Sequence, residues 1–210
     1  MNKKKSLISQ KYRNINLLTE GEKRTIKEDF PWTHYVLDNF IEEKAFKRMQ
    51  QAFLSKKYKF LVEKDDPYSI QFTLLRYIPL AKIFYSIEFK NLLETLSKAS
   101  LSLNTSNYVQ LRYMNQDSPE LSKHIDNLED KAVVAIYYLS PNWVEGVGGE
   151  TYLYKEFEDE SQEFFVKPIE NRLFFFLSDN TTWHSIKKVN NWERYSVLSS
   201  WDIKDYKVKS

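Results

Sequence analysis

The stretch Lys131-Ala-Val-Val-Ala-Ile-Tyr-Tyr-Leu139 is apolar at every position after the lysine. Successive side chains of a β-strand point to opposite faces, so an uninterrupted apolar run gives a strand that is buried on both faces. Its β-branched and aromatic residues also favour extended structure. The stretch therefore predicts a central strand in a sheet that is covered on both sides.

Short runs of similar texture surround this strand. From Tyr108 onward, segments rich in Val, Ile, Tyr and Phe alternate with polar or glycine-bearing breaks, which is typical of antiparallel β-structure. We predict strands near residues 108–113, 122–127, 132–139, 150–154, 163–168, 172–178, 184–189 and 194–202. About eight short strands in one domain indicate a mainly β fold with supporting helices, built on a double-stranded β-helix (jelly-roll) core.

The first half of the chain is predicted to supply the supporting helices. Asn39 and Glu42 have the spacing of a reciprocal N-terminal cap, so a helix is expected to follow them. A second helix is predicted from about Leu80 to Ala99, where apolar residues recur at three- and four-residue steps. A short strand is predicted over His34 to Leu37, with His34 in a structural role.

These elements divide the chain into an arm and one domain. Residues 1–28 are polar and lysine-rich, and we predict a flexible N-terminal arm. Residues 29–210 are predicted to form a single domain, with helical support over 29–105 and the jelly-roll core over 106–205. The length of 210 residues and the hydrophobic content of 42% suit a domain of this size.

Composition narrows the classes of function. Thirty-one basic residues against 29 acidic residues leave a formal charge of +2, so no nucleic-acid or membrane partner is expected. Cysteine is absent, which excludes disulfides, thiolate metal sites and cysteine nucleophiles. The basic start of the chain lacks the apolar stretch of a signal peptide. We therefore expect a cytoplasmic protein; its oligomeric state is left open.

The triplet His124-Ile125-Asp126 carries the sharpest functional signal. Residues two apart in a strand share a face, so His124 and Asp126 would present an imidazole and a carboxylate to one point. A second histidine from another strand, such as His184, would complete the two-histidine, one-carboxylate set that holds non-haem Fe(II) and leaves coordination positions open. Such a triplet alone is also common as a surface pair.

The last predicted strand offers a second polar group. Arg194 and Ser196 share one of its faces and would present a guanidinium and a hydroxyl to the interior. A buried arginine needs an anion, which the distal carboxylate of an α-keto acid would supply. Tyr138 would place a phenol that needs a partner in the same interior.

Several segments between Val109 and Trp201 resemble the Fe(II)- and 2-oxoglutarate-dependent dioxygenases. Within that superfamily they are most similar to the prolyl hydroxylases, especially the type that acts on hypoxia-inducible factor. The matching segments, in order, are VQLRYMN, HIDN, AIYYLSPNW with VGGETYLY, VKPIENRLFFFLSDN, WHSIKKV and RYSVLSSW.

The resemblance implies an activity and a set of site residues. His124, Asp126 and His184 would bind iron, and Arg194 would bind the distal carboxylate of 2-oxoglutarate with help from Tyr138. Tyr113 stands where the family has a pocket tyrosine, and Ser196 joins Arg194 by the strand pattern. The implied cofactors and co-substrates are Fe(II), 2-oxoglutarate and O2, with ascorbate as a stimulant.

The implied reaction hydroxylates an unactivated C–H bond while 2-oxoglutarate is decarboxylated to succinate. Related halogenases lack the metal carboxylate, so Asp126 favours hydroxylation over halogenation. A prolyl residue in a protein or peptide is the first expectation for the substrate, and a free amino acid or another small metabolite is the alternative. Two other readings stay open: a non-catalytic jelly-roll module that binds sugar or metal, and a zinc hydrolase.

Overall fold

The structure is a computed structural model that describes residues 6–62, 70–103, 108–126 and 131–204. Its strands form two antiparallel sheets, and its helices lie mainly in the first half of the chain. The strands are β1 (Lys27–Glu28), β2 (His34–Leu37), β3 (Leu61–Val62), β4 (Gln71–Leu74), β5 (Tyr108–Met114), β6 (Leu121–His124), β7 (Ala132–Tyr138), β8 (Thr151–Tyr154), β9 (Phe164–Val166), β10 (Leu173–Leu177), β11 (Trp183–Ile186) and β12 (Arg194–Asp202). The α-helices are α1 (Gln10–Arg13), α2 (Glu20–Arg24), α3 (Glu43–Leu54), α4 (Ile78–Phe84) and α5 (Ile87–Ser97).

The large sheet has the strand order β1-β2-β10-β7-β12-β5-β4-β3, and the small sheet has the order β6-β11-β8-β9. This mostly β architecture confirms the predicted jelly-roll class. The short strand over His34–Leu37 is also confirmed as β2. The predicted strand near 122–127 ends at His124, and residue 127 lies outside the described part of the chain.

Strand β7 is buried along its whole length, as its apolar sequence predicts. On one face, Val134, Ile136 and Tyr138 pack with residues of β8, β9 and β10 in the space between the sheets. On the other face, Val133, Ala135 and Tyr137 join the core that the helices cover. The strand lies between β10 and β12, so it is a central strand of the large sheet.

The predicted cap at Asn39 is wrong. Helix α3 begins at Glu43 with Glu42 at its N-cap position, and Asn39 has a φ of 54°, in the left-handed region. The Glu42 carboxylate accepts a hydrogen bond from the backbone N–H of Gln10 at 2.8 Å and does not fold back onto residue 39. A partner distant in sequence therefore replaces the local capping pattern.

The predicted long helix from Leu80 to Ala99 is two helices. Helix α4 ends at Phe84, and α5 begins at Ile87. The Ser86 hydroxyl accepts a hydrogen bond from the Phe89 amide at 3.0 Å, which caps the new helix. The apolar period continues across the break, so periodicity alone did not reveal it.

The first described residues are part of the packed fold, so the prediction of a flexible arm is wrong for residues 6–28. Four of their apolar side chains are buried in the main core, namely Ile8, Tyr12, Ile15 and Ile26. The Tyr12 hydroxyl donates to the Asp38 carbonyl at 2.7 Å, and α2 begins with a reciprocal cap between Thr19 and Glu22. These apolar residues are widely spaced in a polar sequence, so they gave no regular pattern.

The region predicted as helical support, residues 29–105, also contributes strands. Strand β2 pairs with β10, and β4 pairs with β5, so both extend the large sheet on its two sides. The helices pack on one face of the large sheet, and its other face is left for the site.

Within the described ranges, no helix is both long and apolar enough to cross a membrane.

Candidate active site

His124 and His184 are direct neighbours across the small sheet. Strand β6 pairs with β11 in a register that puts the two residues opposite each other, and their ring centroids lie 4.3 Å apart. Asp126 follows β6 by two residues and completes the group. Its Oδ1 lies 3.7 Å from the Nε2 of His124, and its Oδ2 lies 3.6 Å from the Nε2 of His184. All three potential ligand atoms lie within 4.8 Å of one another.

Backbone carbonyls orient both imidazoles. The Nδ1 of His124 lies 2.8 Å from the Ser122 carbonyl, and the Nδ1 of His184 lies 2.9 Å from the Thr182 carbonyl. A carbonyl oxygen only accepts, so Nδ1 of each neutral ring donates and Nε2 keeps its lone pair. Both Nε2 atoms therefore point a lone pair at the shared space, as ligation of a metal requires.

The charge states of the group also suit a metal. Burial alone would raise the pKa of Asp126, but His184, His124 and Arg112 outweigh it and hold the pKa below its usual value. Burial lowers the pKa of His184, with a partial opposing effect from Asp126. Metal ligands bind as carboxylate and neutral imidazole, so both shifts favour the ligand forms. This donor set fits Fe(II).

Arg194 is buried at the inner face of β12, with 2% of its surface exposed. Its Nε donates to the Gly149 carbonyl at 3.0 Å, and its Nη1 donates to the Ser196 hydroxyl at 2.9 Å. Among the described residues, its buried Nη2 has no hydrogen-bond partner. A buried cation with a spare donor is unfavourable unless an anion pairs with it, so this group fits the carboxylate of a ligand.

Tyr138 lies beside this guanidinium, and the guanidinium carbon of Arg194 is 5.2 Å from the centroid of its ring. Its hydroxyl shares a hydrogen bond of 3.0 Å with the Thr151 hydroxyl. Burial lowers the pKa of Arg194, and Tyr138 opposes that shift. Arginine nevertheless stays protonated in proteins, so the interior keeps a fixed positive charge there.

Gly148 and Gly149 make the backbone turn that brings a carbonyl to Arg194. Their φ values are 79° and 81°, which glycine adopts without strain. A Cβ on Gly148 would lie 1.9 Å from the Lys188 carbonyl oxygen, so no side chain fits there. The turn at these glycines also supports the guanidinium.

Tyr113 borders the cavity, but its side chain packs mainly on the other face of the sheet, so its role as a pocket tyrosine stays a prediction. It pairs with Tyr195 in register, on the face of β5 and β12 that the core under the helices covers. Its ring stacks on Phe60, with centroids 4.9 Å apart, and its hydroxyl donates to Glu193 at 2.7 Å. Burial is the main cause that raises the pKa of this phenol.

The neighbouring Arg112 occupies the inner face instead, and sequence reasoning missed it. It lies opposite Ser196 in the β5–β12 register, so its side chain shares the face of Arg194 and Ser196. The alternation of Arg112, Tyr113 and Met114 along β5 contained the signal. This alternation predicts which side chains face the interior only when the face of one residue in the strand is known.

One cavity connects these groups. Its polar lining includes all three candidate iron ligands together with Arg112, Arg194 and Ser196. The apolar lining consists of Ile70, Met114, Pro119, Leu121, Ile136, Ile186 and Leu198. Metal ligands and a buried cation thus share an enclosed and largely apolar space, as the cavity of an iron oxygenase requires.

A jelly roll that joins two histidines, a carboxylate and a buried arginine in one cavity defines the class of mononuclear non-haem iron oxygenases. Residues 109–201 match the family model of the 2OG-Fe(II) oxygenase superfamily. This part of the chain, which holds the candidate metal ligands and the buried arginine, is therefore that of a 2-oxoglutarate-dependent dioxygenase. Its cofactor and co-substrates are accordingly Fe(II), 2-oxoglutarate and O2.

Solved structures with the same fold include three prolyl hydroxylases. A prolyl 4-hydroxylase from Phytophthora capsici has a TM-score of 0.69 and 20% identity, over 98% of this chain and 70% of that one. A prolyl hydroxylase from Trichoplax adhaerens, in complex with a peptide fragment of hypoxia-inducible factor, has a TM-score of 0.65 and 18% identity, over 93% and 92%. A prolyl-4-hydroxylase from Pseudomonas putida has a TM-score of 0.61 and 13% identity, over 82% and 93%.

Proposed function

We propose that this dioxygenase hydroxylates an unactivated C–H bond of a prolyl residue in a protein or peptide, coupled to decarboxylation of 2-oxoglutarate to succinate. One observation carries the reaction: His124, Asp126 and His184 share a cavity with the buried Arg194, whose Nη2 has no partner among the described residues. A metal triad alone suits many reactions. The arginine adds a specific place for an anionic co-substrate.

In this proposal, His124, Asp126 and His184 would hold Fe(II) through two imidazole nitrogens and one carboxylate oxygen. A donor set of this kind leaves room at the metal for a keto acid and for oxygen. Bound Fe(II) supplies the activation of O2. The hydrogen bonds from Nδ1 of each histidine to a backbone carbonyl fix the ring planes, and Ser178 donates to the Asp126 carbonyl at 2.9 Å to hold that backbone.

Arg194 binds the distal carboxylate of 2-oxoglutarate with its Nη2. Ser196 and Gly149 hold the guanidinium in place, and Tyr138 packs against it. A charge-assisted hydrogen bond in this dry setting contributes about 1.5–3 kcal/mol. The apolar lining excludes water from the reacting centre, which limits side reactions there.

The prolyl substrate is supported by the fold alone. The neighbouring structures are named as prolyl hydroxylases, and the Trichoplax adhaerens protein holds a peptide. Identities of 20% or less leave room for another substrate on the same scaffold. The proposal therefore assigns the reaction from this chain's residues and the substrate from the likeness of the fold.

The test is a screen of prolyl peptides with Fe(II), 2-oxoglutarate and O2. We expect succinate to form together with a peptide that has gained one oxygen atom, both measured by mass spectrometry. Asp126→Ala should abolish both products, and Asp29→Ala, a matched change at an exposed carboxylate paired with Lys27, should retain them. Full turnover in Asp126→Ala would refute the assigned site.

A further inference from the structure

A second cation faces the same cavity and is not used by the chemistry described above. Arg112 lies on the inner face of β5, one strand away from Arg194 on β12, and both side chains line the cavity. Both guanidinium groups lie on the cavity side of the sheet, but each contacts a different neighbouring strand. Arg194 lies against Tyr138 of β7, whereas Arg112 lies 5.4 Å from the ring centroid of Phe72 on β4.

In the strand order β7-β12-β5-β4, the two neighbouring strands β7 and β4 lie apart, so the two guanidinium groups belong to two separate subsites. One subsite, on the β7 side, is fully buried and holds Arg194. The other, on the β4 side, holds the half-buried Arg112, and Ser118 and Pro119 line the same cavity. A ligand that arrives after 2-oxoglutarate is bound would meet the second subsite, because that side of the cavity is the more exposed one.

The charge of the loaded cavity also favours an anion. Asp126 is the only acidic residue among the described residues that line the cavity. The same lining contains two guanidinium groups, Arg112 and Arg194. A substrate with a negative charge could therefore pair with a guanidinium in a space whose lining is otherwise largely apolar.

We propose that Arg112 is a specificity-determining residue that binds a carboxylate of the substrate close to the oxidised C–H bond. This inference rests on the proposed function, because it assigns 2-oxoglutarate to Arg194. Arg112 also lines the same cavity as His124, Asp126 and His184, so its guanidinium faces the space that the iron ligands share. A carboxylate held there would bring its neighbouring carbon atoms towards the metal.

The carboxylate has two possible sources: a free amino acid, or an acidic residue next to the target in a peptide. Binding is therefore measured for two matched pairs of probes under anaerobic conditions with Fe(II) and 2-oxoglutarate, so that no turnover occurs. The first pair is L-proline and L-prolinamide. The second pair is a blocked peptide with Glu after its proline and the same peptide with Gln.

We expect wild-type protein to bind the carboxylate member of one pair about tenfold more tightly than its neutral partner, as measured by calorimetry. Preference within the first pair identifies a free amino acid, and preference within the second identifies a peptide. Arg112→Gln should abolish the preference, and Arg112→Lys should retain part of it. Arg48→Gln removes an exposed guanidinium from helix α3 and should leave the preference unchanged.

Three results would overturn the proposal. They are a lack of preference in both pairs, a preference that survives in Arg112→Gln, and a loss of 2-oxoglutarate affinity in that variant as large as the loss for the probe. The last result would assign Arg112 to the co-substrate. Failure of prolyl hydroxylation is a separate outcome. The affinities are measured first, without O2, and O2 is then added to the same samples to test whether hydroxylated product forms.

Discussion

His124 and His184 lie directly opposite each other on adjacent antiparallel strands, and the Nδ1 atom of each ring is within 2.9 Å of a backbone carbonyl two residues before it. The repeated arrangement gives the two imidazoles the same tautomer and leaves both Nε2 atoms for one ion. Asp126 reaches both of them with its two oxygens. The two imidazoles are thus preorganised by hydrogen bonds that do not depend on the metal.

His124→Ala should weaken Fe(II) binding by more than about 100-fold, because it removes a ligand rather than an outer partner of a ligand. Anaerobic equilibrium dialysis against Fe(II) measures this directly. His34→Asn removes the remaining histidine of the three in the chain, which lies outside the cavity, and should keep wild-type affinity. Equal affinities for wild type and His124→Ala would contradict the site.

Gly149 offers a test of how Arg194 is positioned. A Cβ at Gly149 would lie 3.0 Å from a ring atom of Trp192 and 3.2 Å from the Arg194 Cδ, so alanine should push the guanidinium out of place. We expect 2-oxoglutarate affinity to fall about tenfold, the effect of losing one charge-assisted hydrogen bond.

Gly146 provides the matched control for this change. Its φ is 96°, so alanine there is strained in a similar way, but a Cβ would meet nothing within 4 Å. Both variants should lose about 1 kcal/mol of stability through backbone strain. Only Gly149→Ala should lose affinity, and an equal loss in Gly146→Ala would show that strain alone explains the effect.

The site was predictable from sequence where local geometry decides it. The spacing of His124 and Asp126 predicted a shared direction, and the two side chains do converge, although β6 ends at His124. The alternation of Arg194 and Ser196 fixes a shared face on β12. The interior position of Tyr138 followed from an apolar run that is buried on both faces. In each case, the prediction depends on one short segment of the chain only.

Prediction failed where a distant partner decides the outcome. Tyr113 was expected in the pocket from the family resemblance alone, and its neighbour Arg112 was overlooked, because only the pairing with β12 settles which face each side chain occupies. The cap at Asn39 failed because Glu42 binds the Gln10 amide, contributed by a segment that was itself predicted to be a flexible arm. Isolated apolar residues such as Ile8 reveal their burial only in the folded chain.

His34 should make the protein less stable in mild acid. Burial lowers its pKa in the folded state, despite its hydrogen bond to the Trp32 carbonyl, whereas the unfolded value is about 6.5. The unfolded state therefore binds a proton first as the pH falls, so stability present above pH 6.5 is lost below it.

The free energy of unfolding in urea, measured for metal-free protein at pH 7.5 and pH 5.5, tests this prediction. Wild type should lose more stability over this interval than His34→Asn. His184 shifts in the same direction, but it is present in both proteins, so the difference isolates His34. An equal loss in the two proteins would contradict the assigned cause.

Arg194→Met should separate stability from co-substrate binding. In the absence of 2-oxoglutarate, the buried guanidinium donates to Gly149 and Ser196 but faces no carboxylate among the described residues that line the cavity near it. Replacing a poorly compensated buried charge with an apolar side chain of similar length is often neutral or stabilising. We therefore expect the variant to melt at or above the wild-type temperature without ligand.

Addition of 2-oxoglutarate with Fe(II) under anaerobic conditions should reverse this order. At 100 times its dissociation constant, a ligand stabilises the protein that binds it by about 2.7 kcal/mol, which raises the melting temperature of wild type. Arg194→Met should show little or no rise at the same concentration. If both proteins gained the same stability, the carboxylate would have to bind elsewhere, and if ligand-free Arg194→Met melted far below wild type, the arginine would be a structural group that is satisfied without its ligand.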